Sequence, residues 1–451
     1  MKNVLLALAV FCGCATAQTP SAVAIRNAKV VTVSGPVINR GTVVVRKGLI
    51  EAVGENVQIP ADAMVVEGEG LTVYPGLVDG LSTWGIPGAA PAPAGGRGQQ
   101  AVAANTPSVP IPPPSRGPED RPATTSWIKA ADEIQPGDRR IESARSAGFT
   151  TAVTFPTRGI FAGQGSVINL AGERPGDMVL EPSVAQYISL SRAGGGMGGG
   201  FPSSLMGTIA YIRQIYLDAA HYKVVREAYA HDPRGIQRPE YDRALEGVLE
   251  SRRILLPANR AVEMDRMLRF AAELKQPAVL YGMREGYRAA EVLKKGEVPV
   301  LISLKWPEKP RDADPDEQET YRTLETRDKA PSTPSVLKNA GVKFAFYSDG
   351  LDQPRDLQRA VKKAIDAGLS REDAVRALTL SPAEIYGVAD RIGSIEKGKI
   401  ANLVVTRGEL FDDRTRVEMT FIDGVKFTPA PEAERPAGQR PATPSNPGEN
   451  Q

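Results

Sequence analysis

Histidine and cysteine are nearly absent, with two of each in 451 residues. A site assembled from several imidazole or thiolate ligands is therefore excluded at the outset. Neither sign of charge is in excess: 55 Lys+Arg stand against 53 Asp+Glu, a formal net charge of +2. That balance argues against a nucleic-acid partner or a membrane surface held by bulk charge. Aromatic residues are also scarce at 6 %, but 41 % of the chain is apolar and 24 % charged. This is the profile of a globular protein with a sizeable core. The N-terminal apolar run is too short to span a bilayer.

That run reads as a secretory signal over residues 1–17. Lys2 supplies the positive start, Val4 to Phe11 the apolar stretch, and Ala15-Thr16-Ala17 a small-residue cleavage pattern. The expected location is secreted or periplasmic. Both cysteines, Cys12 and Cys14, lie inside the segment. Cleavage after Ala17 leaves no disulfide and no thiol nucleophile. Lipidation of Cys14 is the weaker alternative, because Gly13 suits it and Phe11 and Cys12 do not.

Residues 18–70 predict short β-strands, for instance Ala24 to Val33 and Gly41 to Gly48. Val73 to Val78 is a buried-type strand. Residues 85–125 are rich in Pro, Gly and Ala and read as an exposed loop inserted in the next domain. Helical and strand segments then alternate to about residue 385, which implies a parallel sheet. At this length a (β/α)8 TIM-like barrel is the leading fold over a doubly wound sheet. Residues 386–427 return to β structure, and 428–451 read as a disordered tail. The class is α/β, a barrel with a β-sandwich built from both ends of the chain.

Several tempting motifs fail. The run Gly194 to Gly200 lacks a following Gly-Lys-Ser/Thr, so it is a poor phosphate loop. Asp312, Asp314, Asp316, Glu317 and Glu319 suggest Ca²⁺. Counting from Asp312, however, an EF-hand needs Gly where Glu317 stands and Glu where Thr323 stands. No Gly-x-Ser-x-Gly elbow occurs. His221 and His231, ten residues apart, do not share a helix face and read as exposed helix residues.

Three stretches carry a resemblance: Gly70-Leu71-Thr72-Val73-Tyr74-Pro75-Gly76-Leu77-Val78-Asp79, then Ser348-Asp349-Gly350, then Leu378 through Val405. They resemble the amidohydrolase superfamily, in particular its imidazolonepropionase-like members. The resemblance implies a barrel whose strand ends hold one or two divalent ions, which activate water against C–N or C–O bonds. It also implies an Asp-x-His-x-His motif after the first barrel strand. Here Leu81 and Thr83 occupy the histidine positions. Leu256-Pro257-Ala258 resembles a strand ending in His-Ala, with Pro257 in the histidine place. In Val279 to Tyr287 the next histidine position falls on Gly282, or on Tyr281 if the register slips by one. Of the implied ligand set only Asp349 is retained.

The reading is an exported amidohydrolase-type protein without a metal or other cofactor. It would bind a small molecule in the barrel mouth, pair with an active homologue, or self-associate. One alternative is a metal-independent hydrolase of cyclic amides, with Asp349 as base and Arg260, Tyr281 or Arg284 orienting substrate. Another is an interaction scaffold using the 85–125 loop and the tail. Leu81, Thr83, Pro257 and Gly282 are expected to converge on Asp349.

Overall fold

The computed structural model describes residues 22–87, 117–190, 201–310, 313–314, 316–351, 353–412 and 415–429. The proposed signal peptide, most of the Pro-rich loop, the glycine run, Asp312 and nearly all of the tail lie outside these residues. Among the described residues no helix is long and apolar enough to cross a membrane.

Among the described residues, sixteen strands form two sheets. The N-terminal strands are β1 (Ala22–Val30), β2 (Ile38–Arg46), β3 (Leu49–Gly54), β4 (Ala63–Glu67) and β5 (Leu71–Pro75). The barrel strands are β6 (Leu77–Ser82), β7 (Phe149–Thr154), β8 (Phe161–Asn169), β9 (Val179–Ile188), β10 (Ile254–Ala258), β11 (Ala278–Gly282), β12 (Val300–Ser303) and β13 (Phe344–Tyr347). The chain ends in β14 (Leu403–Arg407), β15 (Arg416–Ile422) and β16 (Val425–Phe427).

The first sheet has the order β16-β15-β14-β5-β1-β2-β3, with β4 also paired to β1. Its two halves come from opposite ends of the chain. β14 runs antiparallel to β5, from Leu403 opposite Pro75 to Arg407 opposite Leu71. Alternating β-branched and large residues supply its core, among them Val23, Ile25, Val43, Val45, Val73, Leu403, Val405 and Phe421. Asn402 ties this sheet to the barrel. Its amide donates to Thr151 Oγ1 at 3.0 Å and to Asn169 Oδ1 at 2.7 Å, while its Oδ1 accepts the Asp423 N–H at 2.9 Å. A buried amide with its partners satisfied fixes one orientation of the two sheets.

The second sheet has the order β13 back to β6 and is a nearly closed barrel. The expected alternation of strand and helix fails at one place. β8 runs antiparallel to both β7 and β9. Only residues 155–160 separate β7 from β8, and a parallel crossover needs a dozen or more residues. The other barrel pairings are parallel. The 85–125 segment also needs correction at its edges. Trp84 and Ile86 are buried, and Thr124 is buried with its hydroxyl 2.6 Å from the Tyr211 hydroxyl.

Each barrel strand sends one apolar side chain into a shared interior layer: Val78, Val153, Val167, Ala185, Leu255, Val279, Leu301 and Ala345. The barrel is thus filled rather than hollow. The opposite strand faces pack under helices. Leu256, Leu280 and Ile302 join Met264, Phe270, Leu293 and Leu337 in a separate cluster. Helix Ala261–Leu274 shows why: Met264, Met267, Phe270, Ala271 and Leu274 recur at three- and four-residue spacing.

Candidate functional site at the barrel mouth

Side chains alternate along a strand, so the residue two positions beyond each interior residue faces inward again. Going toward the C-terminal ends of the parallel strands, that next layer is Gly80, Phe155, Tyr187, Pro257, Tyr281, Ser303 and Tyr347. On antiparallel β8 it is Gly165. Four of these residues are aromatic, and their rings touch in sequence. Phe155 and Tyr187 have centroids 5.9 Å apart, Tyr187 and Tyr281 stack at 5.5 Å, and Tyr281 meets Tyr347 edge-on at 6.4 Å. Gly165 makes the room, because a Cβ there would lie 2.1 Å from the Phe155 ring.

The polar groups of the mouth are few. The Tyr281 hydroxyl donates to the Tyr187 hydroxyl at 2.8 Å. Ser303 Oγ donates to Asp349 Oδ2 at 2.8 Å. Asp349 is partly exposed and has a left-handed backbone, with φ of 52°. Burial pushes the Tyr281 and Tyr347 phenols well above their ordinary value, and the negative charge of Asp349 adds to both shifts. Arg284 is exposed, and its positive charge acts on the Tyr347 phenol in the opposite sense.

Behind this layer lies a second carboxylate. Asp79 is fully buried where β6 approaches β13. Its Oδ1 accepts the Ser348 N–H at 2.9 Å and its Oδ2 accepts the Ser348 hydroxyl at 2.5 Å. Burial pushes its pKa up to about 7 against these hydrogen bonds, and nearby Asp349 pushes the same way. Gly80 lets the strands approach, since a Cβ there would lie 2.9 Å from the Phe346 carbonyl oxygen. Tyr386 donates to the Gly80 carbonyl at 2.7 Å from the helix Leu380–Tyr386.

Not all the expected site residues come together. Leu81 is half-buried and packs against the interior cluster. Pro257 stands directly across from Tyr281 in the β10–β11 register. Gly282 does not face inward: it pairs with Ala258, and a Cβ on it would lie 2.5 Å from Asn259 Oδ1. On β11 the inward residue is Tyr281. Thr83 is drawn away by Arg140, which donates to its hydroxyl at 3.0 Å and to its carbonyl at 2.9 Å. Arg260 is exposed at the start of its helix and engaged by Glu263 at 2.7 Å. His221 and His231 lie exposed on helix Leu205–His231, and neither is on a barrel strand. In the acidic run, Asp314, Asp316 and Glu317 are exposed, while Glu319 bonds Arg327 at 2.5 Å. Among the described residues, no group of three or more His, Cys, Asp or Glu side chains is placed to hold a metal ion.

Sequence reasoning missed Tyr187, Ser303, Tyr347 and the Asp79–Ser348 pair. Ser303 and Tyr347 were within reach, since each closes a short apolar strand at a position whose phase alternation sets.

Residues 321–426 match the model of the amidohydrolase family. An amidohydrolase structure from Thermotoga maritima MSB8 shares 28 % identity, covering 90 % of this chain and 100 % of that one, with a TM-score of 0.71. By sequence over its C-terminal quarter and by fold over nearly its whole length, the chain is similar to amidohydrolase-superfamily proteins. The fold is shared with more distant relatives. A prolidase-type protein from Bifidobacterium longum is 16 % identical over 92 % of this chain and 96 % of that one, with a TM-score of 0.53. Phenylurea hydrolase B is 15 % identical over 90 % and 97 %, also with a TM-score of 0.53. No curated protein matches the chain. The barrel and the two-ended sheet are the superfamily's architecture.

Proposed function

We propose that this amidohydrolase-like protein is exported, has lost its metal centre, and acts as a ligand-binding protein or as the partner of an active homologue. The supporting observation is the layer at the strand ends. Leu81, Thr83, Pro257 and Gly282, or Tyr281 beside it, stand where the resemblance implies imidazoles, and Phe155, Tyr187, Tyr281 and Tyr347 line the mouth with rings. Leucine and proline side chains offer no lone pair, and the Thr83 hydroxyl is taken by Arg140. A lone carboxylate on Asp349 is a poor donor set for a divalent ion. The residues do not fit the metal.

What remains suits binding. Three phenols give flat apolar faces with polar tips. Asp349 keeps one oxygen beyond its bond to Ser303, and Arg284 stands exposed with an unspent positive charge. A small ligand carrying both a donor and an acceptor would be held over the rings. Elemental analysis of the purified protein tests the reading. Metal far below one equivalent is expected. Stoichiometric zinc, with amide hydrolysis abolished by a chelator, would overturn it.

A second reading is a metal-independent hydrolase with Asp349 as base. Its support is the pairing of Ser303 with Asp349 beside the Tyr281 hydroxyl. It requires turnover of a cyclic amide by metal-free protein and loss of turnover in Asp349→Asn. Export rests on the 1–17 pattern. N-terminal sequencing of protein recovered outside the cytoplasm should start after Ala17, and an intact Met1 would refute it. The scaffold reading concerns segments that lie mostly outside the described residues. It predicts a captured partner that is lost when 88–116 or 430–451 is deleted.

A further inference from the structure

Much of the layer at the barrel mouth is closed to solvent. Ser303 is 3 % exposed and Tyr347 is 6 % exposed. A ligand that is to lie against them must first displace a cover. Residues 316–329, with the helix Tyr321–Lys329, stand beside this mouth and are held by charge rather than by packing. Helix Ala261–Leu274 buries Met264, Met267, Phe270, Ala271 and Leu274 against the barrel, whereas none of residues 316–329 is buried. Among the described residues, their ion pairs to other elements are two. Arg322 donates to both oxygens of Glu285, at 2.8 and 2.9 Å, and Arg288 pairs with Glu325. Glu285 and Arg288 stand on the turn after β11. The same turn carries Arg284, whose charge reaches the Tyr347 phenol in the mouth. The remaining pairs are internal, Arg327 with Glu319 at 2.5 Å and Lys329 with Asp328 at 3.2 Å. A helix of nine residues has little stability of its own.

The two halves of the main ion pair are unequal. Glu285 is 4 % exposed and also accepts the Ala261 N–H at 3.1 Å, so it is fixed to the barrel. The Arg322 side chain is 56 % exposed. At the far end of the helix the chain enters Ala330 and Thr333, both fully buried. We propose that residues 316–329 are a flap over the mouth, hinged at Ala330 and latched by Arg322 on Glu285. Opening exchanges ion pairs for water and uncovers no apolar core, so it proceeds without unfolding of the barrel. Water then hydrates the Glu285 carboxylate, which the Ala261 N–H still holds. Salt screens the exposed half of the latch and favours the open state. That the flap admits a ligand rests on the reading of the mouth as a binding site; its opening does not.

Native-state amide hydrogen exchange on the full-length protein, followed by thiol labelling, tests it. The amides of residues 321–329 should exchange about a hundredfold faster than those of residues 264–274. Raising NaCl to about 0.5 M, or introducing Arg322→Gln, should speed the first group roughly threefold or more and leave the second unmoved. For access to the mouth, Ser303→Cys is placed in a Cys12→Ser, Cys14→Ser background and labelled with N-ethylmaleimide, an uncharged reagent. Adding Arg322→Gln should raise the labelling rate about tenfold, since the thiol is reached only from the open state. Equal exchange in the two helices, or exchange in residues 321–329 indifferent to both salt and Arg322→Gln, would overturn the flap. A labelling rate unchanged by Arg322→Gln would overturn its place over the mouth. Neither readout needs a bound ligand, so stoichiometric zinc, which would sink the reading of the mouth, leaves both outcomes legible.

Discussion

Two places at the same end of the barrel have gone opposite ways. Where β6 approaches β13, a fully buried aspartate is held by a serine backbone N–H and hydroxyl, and a glycine admits the neighbouring carbonyl. At the ends of β9, β10 and β11, the inward positions carry Tyr187, Pro257 and Tyr281. The seam is polar and structural. The mouth is aromatic, with rings in contact from Phe155 to Tyr347. The difference teaches that the barrel's closure is held at its seam rather than at its mouth. The Asp79–Ser348 bonds span 269 residues of sequence and help join the first barrel strand to the last. A strand-end imidazole, by contrast, supports only its ion. Its place can be taken by any side chain that fills the volume.

The largest way to break this comparison is at the seam. Asp79→Ala leaves the buried Ser348 N–H and hydroxyl without acceptors. It should cost about 3 kcal/mol of stability, as measured by urea unfolding. A change no larger than that of an exposed alanine substitution would show that the seam is not held this way. Next comes overpacking in the mouth. Gly165→Ala drives a methyl into the Phe155 ring and should cost about 2 kcal/mol. Adding Phe155→Leu should recover part of that loss, and strict additivity of the two would place the ring elsewhere.

The seam also gives a pH signature. Asp79 has its pKa raised to about 7 in the fold, so the folded state binds the extra proton between pH 4 and 7. Stability from this group is therefore fully present at acid pH and is lost as pH rises, by up to about 1.4 kcal/mol per pH unit. Above pH 7 the loss levels off. Asp79→Asn lacks this slope, so the stability difference between wild type and variant should shrink from pH 4 to 7. A constant difference would refute the assignment. The smallest effect is back in the mouth. Tyr281→Phe removes the donor to Tyr187 and should cost about 1 kcal/mol, with little change in the barrel's circular dichroism.

Much of the scaffold was legible. Gly70 to Asp79, Ser348-Asp349 and the run through Asn402 pointed to the correct architecture. These segments carry turn glycines, caps and buried polar residues that few other folds would use. The antiparallel β8 was not legible, because a buried strand reads the same in either direction and only the short 155–160 connection signals a hairpin. The site was legible as residue types rather than as a layer. Gly282 and Tyr281 are neighbours with opposite faces, and one position of uncertainty exchanges them. Thr83 looked like a strand-end residue, but Arg140 draws it aside through contacts 57 residues apart.

The sequence alone carried the resemblance to the amidohydrolase superfamily, the two-ended sheet and the scarcity of histidine and cysteine. Composition and local motif chemistry are properties of the chain itself. The tertiary structure decided which residues face the barrel axis. It also brought Asp79 to Ser348 and turned the strand ends into an aromatic layer. Those outcomes depend on register around a closing sheet, which no local stretch of sequence contains.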